Sequence, residues 1–252
     1  TITKDGRGKI LNAFYNNIEE EGFSKVITID KMREYDYRLN PVEYIDFEAL
    51  KNKFEETIPL GKIAKITRGL SLPRKELDEL QTEDGYYYLS IRNVEEEGIN
   101  YEEADIIQPV DKDWITKYSL EPGDILLTTK GWETRAALVG DDLKNSFFSS
   151  NLTRIRVNRN KYNPYVLLEF LKSDIGKRMF ESIQTGTTIT LINNKQLSRM
   201  GVPVYPKEEM DAIGEAIEYN QKTYEMRVRE AEQEYNENRN QLITKLGLDK
   251  NS

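Results

Sequence analysis

A chain of 252 residues without cysteine or histidine excludes disulfide bonds, thiolate or imidazole metal ligands, and every catalytic pair that needs a histidine base. The hydrophobic fraction of 38%, with 15 Tyr and 8 Phe, indicates a folded protein of one or two domains. The net charge of −8 gives no support for non-specific nucleic-acid binding, and no apolar run predicts a membrane span or a signal peptide.

The first 56 residues combine helical, extended and irregular patterns. A helix is predicted over 10–21, where Gly22 is typical of a C-terminal helix cap. The β-branched alternation over 24–30 predicts a short strand. An aromatic, irregular stretch follows over 35–44, and residues 47–56 have the pattern of a short charged helix.

Residues 57–206 show short β-type runs separated by turn signals. The runs cover 61–67, 86–91, 124–129, 136–139, 147–150 and 152–157. Asn163-Pro164 predicts the start of a helix that continues to residue 171, and a second helix is predicted over about 174–184. This pattern predicts an α+β domain with a mostly antiparallel, barrel-like sheet and flanking helices.

Residues 207–252 contain one long coiled-coil-type helical pattern, from 207 to about 246. At about 1.5 Å per residue this helix would be about 60 Å long. It is too long to fold back on a small domain, and its apolar stripe is too hydrophobic to remain in water, so we expect a partner helix. The stripe begins at Met210 and ends at Leu246, and the expected dimerisation residues are Ile213, Ile217, Tyr224, Val228, Ala231, Tyr235 and Leu242.

The segment from Gln184 to Lys195, QTGTTITLINNK, has the densest set of polar side chains. Hydroxyl and amide groups around a glycine are suited to phosphate and base-edge contacts in DNA. An ordinary polar loop that leads into a helix, with Asn193 or Asn194 as its N-cap, explains the same residues.

Two further segments place hydrogen-bonding side chains after predicted strands. Lys130, Trp132 and Arg135 follow the run GDILLTT, where a hairpin with a core tryptophan and solvated charges is the alternative. Arg92 and Asn93 follow YYYLSI, and their side chains match the hydrogen-bonding edges of guanine and adenine respectively.

No catalytic motif is present in the sequence. The tripeptide Asn163-Pro164-Tyr165 is similar to the Asn-Pro-Pro-Tyr loop of amino-methyltransferases, but the second proline is missing and the tripeptide begins a predicted helix. A glycine-rich loop for S-adenosylmethionine, a P-loop and a nuclease pattern are also lacking. We therefore expect no catalytic site, no metal site and no cofactor in this chain.

Residues 57–246 resemble the target-recognition domain and spacer helix of type I restriction–modification specificity subunits. The segments IPLGKIAKITRG, YYYLSIRNV, LEPGDILLTTKG, NLTRIRV and QTGTTITLINNKQLSRMGVPVYP occur in the order of that family. The resemblance implies that residues 57–206 recognise one half of a split DNA site. It also implies a helix that sets the distance to a second recognition domain, by antiparallel pairing within a homodimer.

The first 56 residues resemble a different subunit of the same systems. EEEGFSKVITIDKMREYDYRLNPVEYID is similar to the C-terminal tail of the N6-adenine methyltransferase subunit. Together with a start at Thr1 rather than Met, this leads us to expect the C-terminal fragment of a fused methyltransferase–specificity polypeptide. S-adenosylmethionine is then implied only for the missing catalytic domain.

The expected partners are double-stranded DNA, methyltransferase subunits and, in a complete system, restriction subunits, all in the cytoplasm. The alternative function is a protein-interaction adaptor that dimerises through the helix without recognising a DNA sequence. The candidate DNA contacts follow from loop position and side-chain chemistry: Arg68, Arg74, Arg92, Asn93, Lys130, Trp132, Arg135, Thr185, Thr187, Thr188 and Lys195.

Overall fold

The computed structural model describes most of the chain. It covers residues 4–20, 23–34, 37, 54, 56–96, 98–131, 133–185, 190–246 and 248, without the side chains of Lys4, Glu34, Thr185 and Thr190. Among the helices in these ranges, none is long and apolar enough to cross a membrane.

The N-terminal region contains two helices, α1 (Lys4–Asn16) and α2 (Ile29–Glu34). The predicted strand over 24–30 is wrong, since α2 begins within it. The Thr28 hydroxyl accepts a hydrogen bond from the Lys31 amide at 3.2 Å and so satisfies a donor of the first helical turn. Most of the predicted segments 35–44 and 47–56 lie outside the described residues.

The first and last strands of the central domain pair with each other. β1 (Thr57–Pro59) is antiparallel to β12 (Gly201–Pro203), and the short helix α3 (Leu60–Ile63) follows β1. This pairing brings residues 57 and 203 together, which are the two ends of the segment that we predict to form the recognition domain.

The largest sheet has four antiparallel strands in the order β2-β9-β5-β7. These strands are β2 (Ala64–Arg68), β5 (Ile125–Thr128), β7 (Ala136–Leu138) and β9 (Leu152–Val157). Ile125 and Leu127 belong to a hydrophobic cluster with α6 (Pro164–Lys172) and α7 (Asp174–Ile183), while Leu126 belongs to a second cluster. Both faces of the sheet are therefore buried.

A second sheet, of three strands, lies beside the first. It contains β3 (Gln81–Leu89), β4 (Asp105–Ile107) and β8 (Ser146–Phe148), and the pairing of β3 with β8 is parallel. Two helices belong to this part of the chain: α4 (Arg74–Leu80) and α5 (Lys112–Tyr118). Tyr86 stacks on Phe147 with ring centroids 4.5 Å apart, and Trp114 of α5 meets the same ring edge-on.

The last sheet joins segments that are far apart in the sequence. It contains β6 (Lys130–Gly131), β10 (Gln184–Thr185) and β11 (Thr190–Ile192), and helix α8 (Asn194–Arg199) follows it. The predicted α+β class with mostly antiparallel pairing is confirmed. The strands are divided among four sheets that do not join into a closed barrel within the described residues.

Helix α9 (Lys207–Lys245) has 39 residues and forms the C-terminal part of the described chain. Its first turns pack on α6, with Met210 and Gly214 buried. Ile217 also packs against the core of the central domain, so its prediction as a dimerisation residue requires correction. The other predicted pairing residues are exposed: Ile213, Tyr224, Val228, Ala231, Tyr235 and Leu242.

Candidate nucleic-acid interface

One edge of the four-stranded sheet brings together the ends of three strands. In the register of β5 with β9, Thr128 lies opposite Leu152, and in that of β2 with β9, Arg68 lies opposite Thr153. Because β9 is antiparallel to both neighbours, β2 and β5 end where β9 begins. The polar residues that follow β2 and β5 therefore lie close to those that precede β9.

The pairing of β6 with β11 brings two of the predicted motifs to this edge. Lys130 lies opposite Leu191, and the Ile192 amide donates to the Thr129 carbonyl at 2.9 Å. Gln184 of β10 donates from Nε2 to the Thr134 hydroxyl at 2.7 Å. The segment that follows β5 thus lies beside Gln184 and Thr190–Ile192, although about fifty residues or more separate them in the chain.

The first residues of α8 lie at the same edge. Asn193 is the N-cap, because its side chain accepts a hydrogen bond from the Lys195 amide at 2.8 Å. Asn194 accepts from the Thr153 hydroxyl at 3.0 Å through Oδ1. Of the two predicted alternatives for the N-cap, Asn193 is therefore correct, and Asn194 is the first residue of the helix. The Lys195 side chain is exposed.

We call the positively charged part of this surface the cationic edge, which consists of Arg68, Lys130, Arg135 and Lys195. The Arg68 guanidinium donates from Nε to the Ser150 carbonyl at 2.9 Å and is otherwise exposed. Lys130 and Lys195 are exposed, and Arg135 is partly buried, with Nε 3.8 Å from a Glu133 carboxylate oxygen. Four cations from three parts of the chain thus face one surface.

Arg74 and Arg92 are exposed but engaged in ion pairs. Arg74 lies 2.9 Å from the Asp78 carboxylate within α4, and Arg92 lies 3.5 Å from that of Asp105. The turn that contains Arg92 is next to β6, because a β-carbon on Gly131 would be 3.9 Å from Ile91 Cδ1. Arg92 therefore borders the cationic edge, and DNA would have to compete with its carboxylate partner.

Asn93 has a structural role and does not belong to the surface. It is 1% exposed, and its Oδ1 accepts hydrogen bonds from the backbone and the hydroxyl of Ser90. Its Nδ2 donates to the carbonyls of Asn100 and Glu102 at 3.0 and 3.2 Å. These bonds use the whole amide to hold the 100–102 loop, so our prediction that it contacts a base is withdrawn.

Four predicted contacts cannot be placed fully. Trp132, Thr187 and Thr188 lie outside the described residues, and only the backbone of Thr185 is described, in β10. Their predicted role in DNA contact stays a prediction.

Two arginines of β9 stabilise the domain instead of facing the edge. Arg154 is buried, donates to the Ser119 carbonyl and lies over the Phe148 ring, and burial together with the nearby Arg156 charge lowers its pKa. Arg156 binds Asp124 through two hydrogen bonds of 2.7 Å, which raise the pKa of Arg156. These side chains fix the turn before β5.

Sequence reasoning missed the turn from Ser149 to Asn151, between β8 and β9. The Thr129 amide and hydroxyl donate to the Asn151 carbonyl at 2.9 and 3.1 Å, which places this turn beside Lys130. The sequence feature that indicates this turn is a run of three small polar residues between two predicted strands. The pattern over 147–150 instead predicts the first two as the end of a strand.

No protein-family model matches the chain. A protein described as the putative type I restriction enzyme MjaX specificity subunit, from Methanocaldococcus jannaschii, is 27% identical over 154 residues. The chain is similar to a type I specificity subunit. The predicted resemblance is confirmed by this relative, and the match covers 59% of the chain and 36% of the relative. The chain therefore spans about a third of the length of this specificity subunit.

Three solved structures are also similar to the chain. The type I system S subunit from M. genitalium has a TM-score of 0.42 and 19% identity, over 64% of this chain and 37% of that one. The HsdS subunit from Thermoanaerobacter tengcongensis has a TM-score of 0.47 and 15% identity, and the match covers 86% of this chain and 49% of that one. A structure of the type I restriction–modification system contains a chain with a TM-score of 0.49 and 15% identity, and the match covers 94% of this chain and 57% of that one.

Proposed function

We propose that this chain is a sequence-specific DNA-binding module that recognises one half of a split duplex site for a type I-like restriction–modification system. The observation that supports it most is the pairing of β6 with β11. This pairing joins a lysine after a buried strand to Thr190–Ile192, beside Arg68 and Lys195. Similarity to a specificity subunit supports the same function.

The distribution of charge supports a defined DNA-binding face on an acidic protein. Helix α9 has ten acidic and six basic residues, a net charge of −4, which is half of the total of −8. The cationic edge belongs to the central domain and not to this helix. Cations there would contact phosphates and position the duplex, while neutral hydroxyl and amide groups would contact bases.

The proposal assigns chemistry to other parts of the system. The chain would bind duplex DNA and associate with methyltransferase and restriction subunits in the cytoplasm. The methyltransferase would bind S-adenosylmethionine and flip the target adenine. The resemblance of residues 1–56 to a methyltransferase tail supports a fused polypeptide as the natural form.

The exposed stripe of α9 supports a homodimer through this helix. Tyr224, Val228, Tyr235 and Leu242 are large, exposed and spaced by four or seven residues, which places them on one helical face. Pairing with a second copy would bury this face and hold two recognition domains at a fixed distance. Each domain would then bind one half-site.

The experiment that tests the function is the selection of bound duplexes from a randomised DNA pool at low salt. We expect enrichment of a short motif, or of two copies at a fixed spacing. An adaptor protein would dimerise in light scattering without enriching any motif, and that result would contradict the proposal.

A matched pair of charge reversals tests the location of the interface. Lys130→Glu should weaken binding to all duplexes and reduce the dependence of affinity on salt by about one phosphate contact. Lys62→Glu, just before the opposite end of β2, is the control. It should leave the affinity for DNA and its dependence on salt unchanged. If the two substitutions changed DNA affinity equally, the DNA would not bind at the cationic edge.

A further inference from the structure

The turn from Ser149 to Asn151 is held by its backbone from several sides. The Ser149 amide donates to the Leu89 carbonyl and the Ser150 amide to the Leu70 carbonyl, both at 2.8 Å. The Asn151 carbonyl accepts both hydrogen bonds from Thr129. Three separate segments thus fix the position of three consecutive residues.

The residues before Leu70, at the end of β2, constrain the same turn further. Arg68 binds the Ser150 carbonyl, and Gly69 approaches the turn so closely that a β-carbon would lie 2.2 Å from the Ser149 carbonyl oxygen. Only glycine permits this distance. The turn is therefore rigid relative to the cationic edge.

The Asn151 side chain differs from three other asparagines in and around this surface. Asn93, Asn193 and Asn194 all use their side chains in hydrogen bonds. The Asn151 carboxamide makes no hydrogen bond with any protein group that the structure describes, although the residue is half-buried. A fixed backbone here presents an unused donor and an unused acceptor.

We propose that Asn151 recognises an adenine of the half-site in the major groove, an inference that rests on the proposed DNA-binding function. A carboxamide donates to adenine N7 and accepts from the N6 amino group, and this bidentate pattern is specific to adenine. Base discrimination requires that the side chain be positioned within about 0.5 Å, which a backbone held by three segments provides. Arg68 and Lys130, on either side of the turn, contact the flanking phosphates.

The neighbouring Ser150 does not offer the same discrimination. A hydroxyl both donates and accepts at one atom, so it binds several base edges equally well. Among the side chains of this turn, the carboxamide of Asn151 is therefore the group that distinguishes adenine from the other bases.

The test compares the duplexes selected by the 252-residue chain and by its Asn151→Ala and Asn151→Asp variants. Asn151→Ala should lose the adenine preference at one position of the motif, by roughly 5- to 150-fold. Asn151→Asp should change the preference at that position from adenine towards cytosine, because a carboxylate accepts from the cytosine amino group and repels adenine N7. A changed preference cannot result from unfolding.

Asn145→Ala is the matched control. Asn145 is an exposed asparagine at the other end of β8, and its carbonyl accepts from the Tyr87 amide. This variant should select the wild-type motif. Equal melting temperatures for all variants would show that the fold is retained.

The outcomes separate the two proposals. A wild-type motif that Asn151→Ala and Asn151→Asp both retain would overturn the role of Asn151 and leave DNA recognition intact. A wild-type chain that enriches no motif would overturn the DNA-binding function, and the role of Asn151 with it.

Discussion

The arginines of this chain differ in function according to the surroundings of their guanidinium groups. Arg156 is 29% exposed and is paired with Asp124, whose carboxylate is 1% exposed. Arg68 makes one hydrogen bond, to the Ser150 carbonyl, and faces solvent at the cationic edge. The first stabilises the domain, and the second is available to DNA.

Substitution of these two arginines should have opposite consequences. Arg156→Ala leaves the buried Asp124 carboxylate with the hydrogen bond from the Glu121 amide but without its cationic partner, and should lower the free energy of unfolding by about 3 kcal/mol. Arg68→Ala loses one exposed hydrogen bond and should cost less than about 1 kcal/mol, while weakening DNA binding. Urea unfolding and DNA titration of both variants would check this. An Arg156→Ala variant as stable as the wild-type chain would show that the hydrogen bond from the Glu121 amide is sufficient for the buried Asp124 carboxylate.

Gly69 is a residue whose replacement should act through packing. A β-carbon there would meet two backbone carbonyl oxygens, at 2.2 and 2.3 Å, and backbone cannot move aside as a side chain can. Gly69→Ala should therefore lower the free energy of unfolding by about 1–3 kcal/mol.

Gly8→Ala is the control, measured by the same urea unfolding. Gly8 lies within α1 with no heavy atom within 4 Å of a β-carbon, so alanine should leave stability unchanged or raise it by up to about 1 kcal/mol. Equal losses in both variants would mean that the Gly69 clash is relieved by local movement.

Side-chain type and strand position were sufficient to predict Lys130 and Lys195 as exposed surface residues, but they were insufficient for Asn93. Asn93 and Asn151 are both asparagines next to a strand, and the sequence around them gives no sign of which is buried. The difference arises from the 100–102 loop, which covers Asn93 and accepts its hydrogen bonds. Contacts between distant segments therefore decide the role of each asparagine.

Among the secondary-structure elements, the strands with strong apolar character were predicted best. Predictions over 124–129 and 152–157 match β5 and β9, because consecutive buried aliphatic residues indicate a strand covered on both faces. The strand predicted over 24–30 is wrong because β-branched residues form a strand only where a partner is present. The two-residue strands β6 and β10 have no sequence pattern and are defined by their pairing alone.

The long helix α9 was predicted from its spacing, but the division of its stripe was not. Met210 and Ile217 face the central domain, and Tyr235 lies on the same helical face beyond it. The stripe is therefore buried by the domain at one end and exposed at the other. The spacing of apolar residues predicts which face of a helix is apolar. It does not predict the residue at which the central domain stops burying that face.

A substitution on the exposed part of the stripe should prevent dimerisation. Tyr235→Asp places a charge on the proposed pairing face and should make the chain monomeric at micromolar concentration, as sedimentation would measure. Tyr219→Asp is the control, since Tyr219 is 71% exposed and lies about 200° around the helix from Ile217. A dimer that survives Tyr235→Asp would contradict pairing through this face.

At the scale of the whole molecule, the length of α9 should determine the spacing of the half-sites. Insertion of seven residues after Arg229 preserves the face of the stripe and lengthens the helix by about 10.5 Å. This equals about three base pairs at about 3.4 Å each, so the two selected half-sites should move apart by about three base pairs. Selection from the randomised pool would measure the spacing, and an unchanged spacing would exclude the helix as the spacer.

The close approach of Gly214 to Asn163 has a mechanical consequence for such a molecule. A β-carbon at 214 would lie 2.1 Å from the side-chain Nδ2 of Asn163, so the helix rests directly on the residue that caps α6. From Gly214 to Lys245 the helix acts as a lever about 46 Å long, and a tilt of about 10° at this fulcrum would displace its tip by about 8 Å. That displacement exceeds two base-pair steps. Together with the packing of Ile217 on the core and the ion pair of Lys222 with Asp141, this contact would limit the angular error with which two recognition domains can be aligned on one duplex.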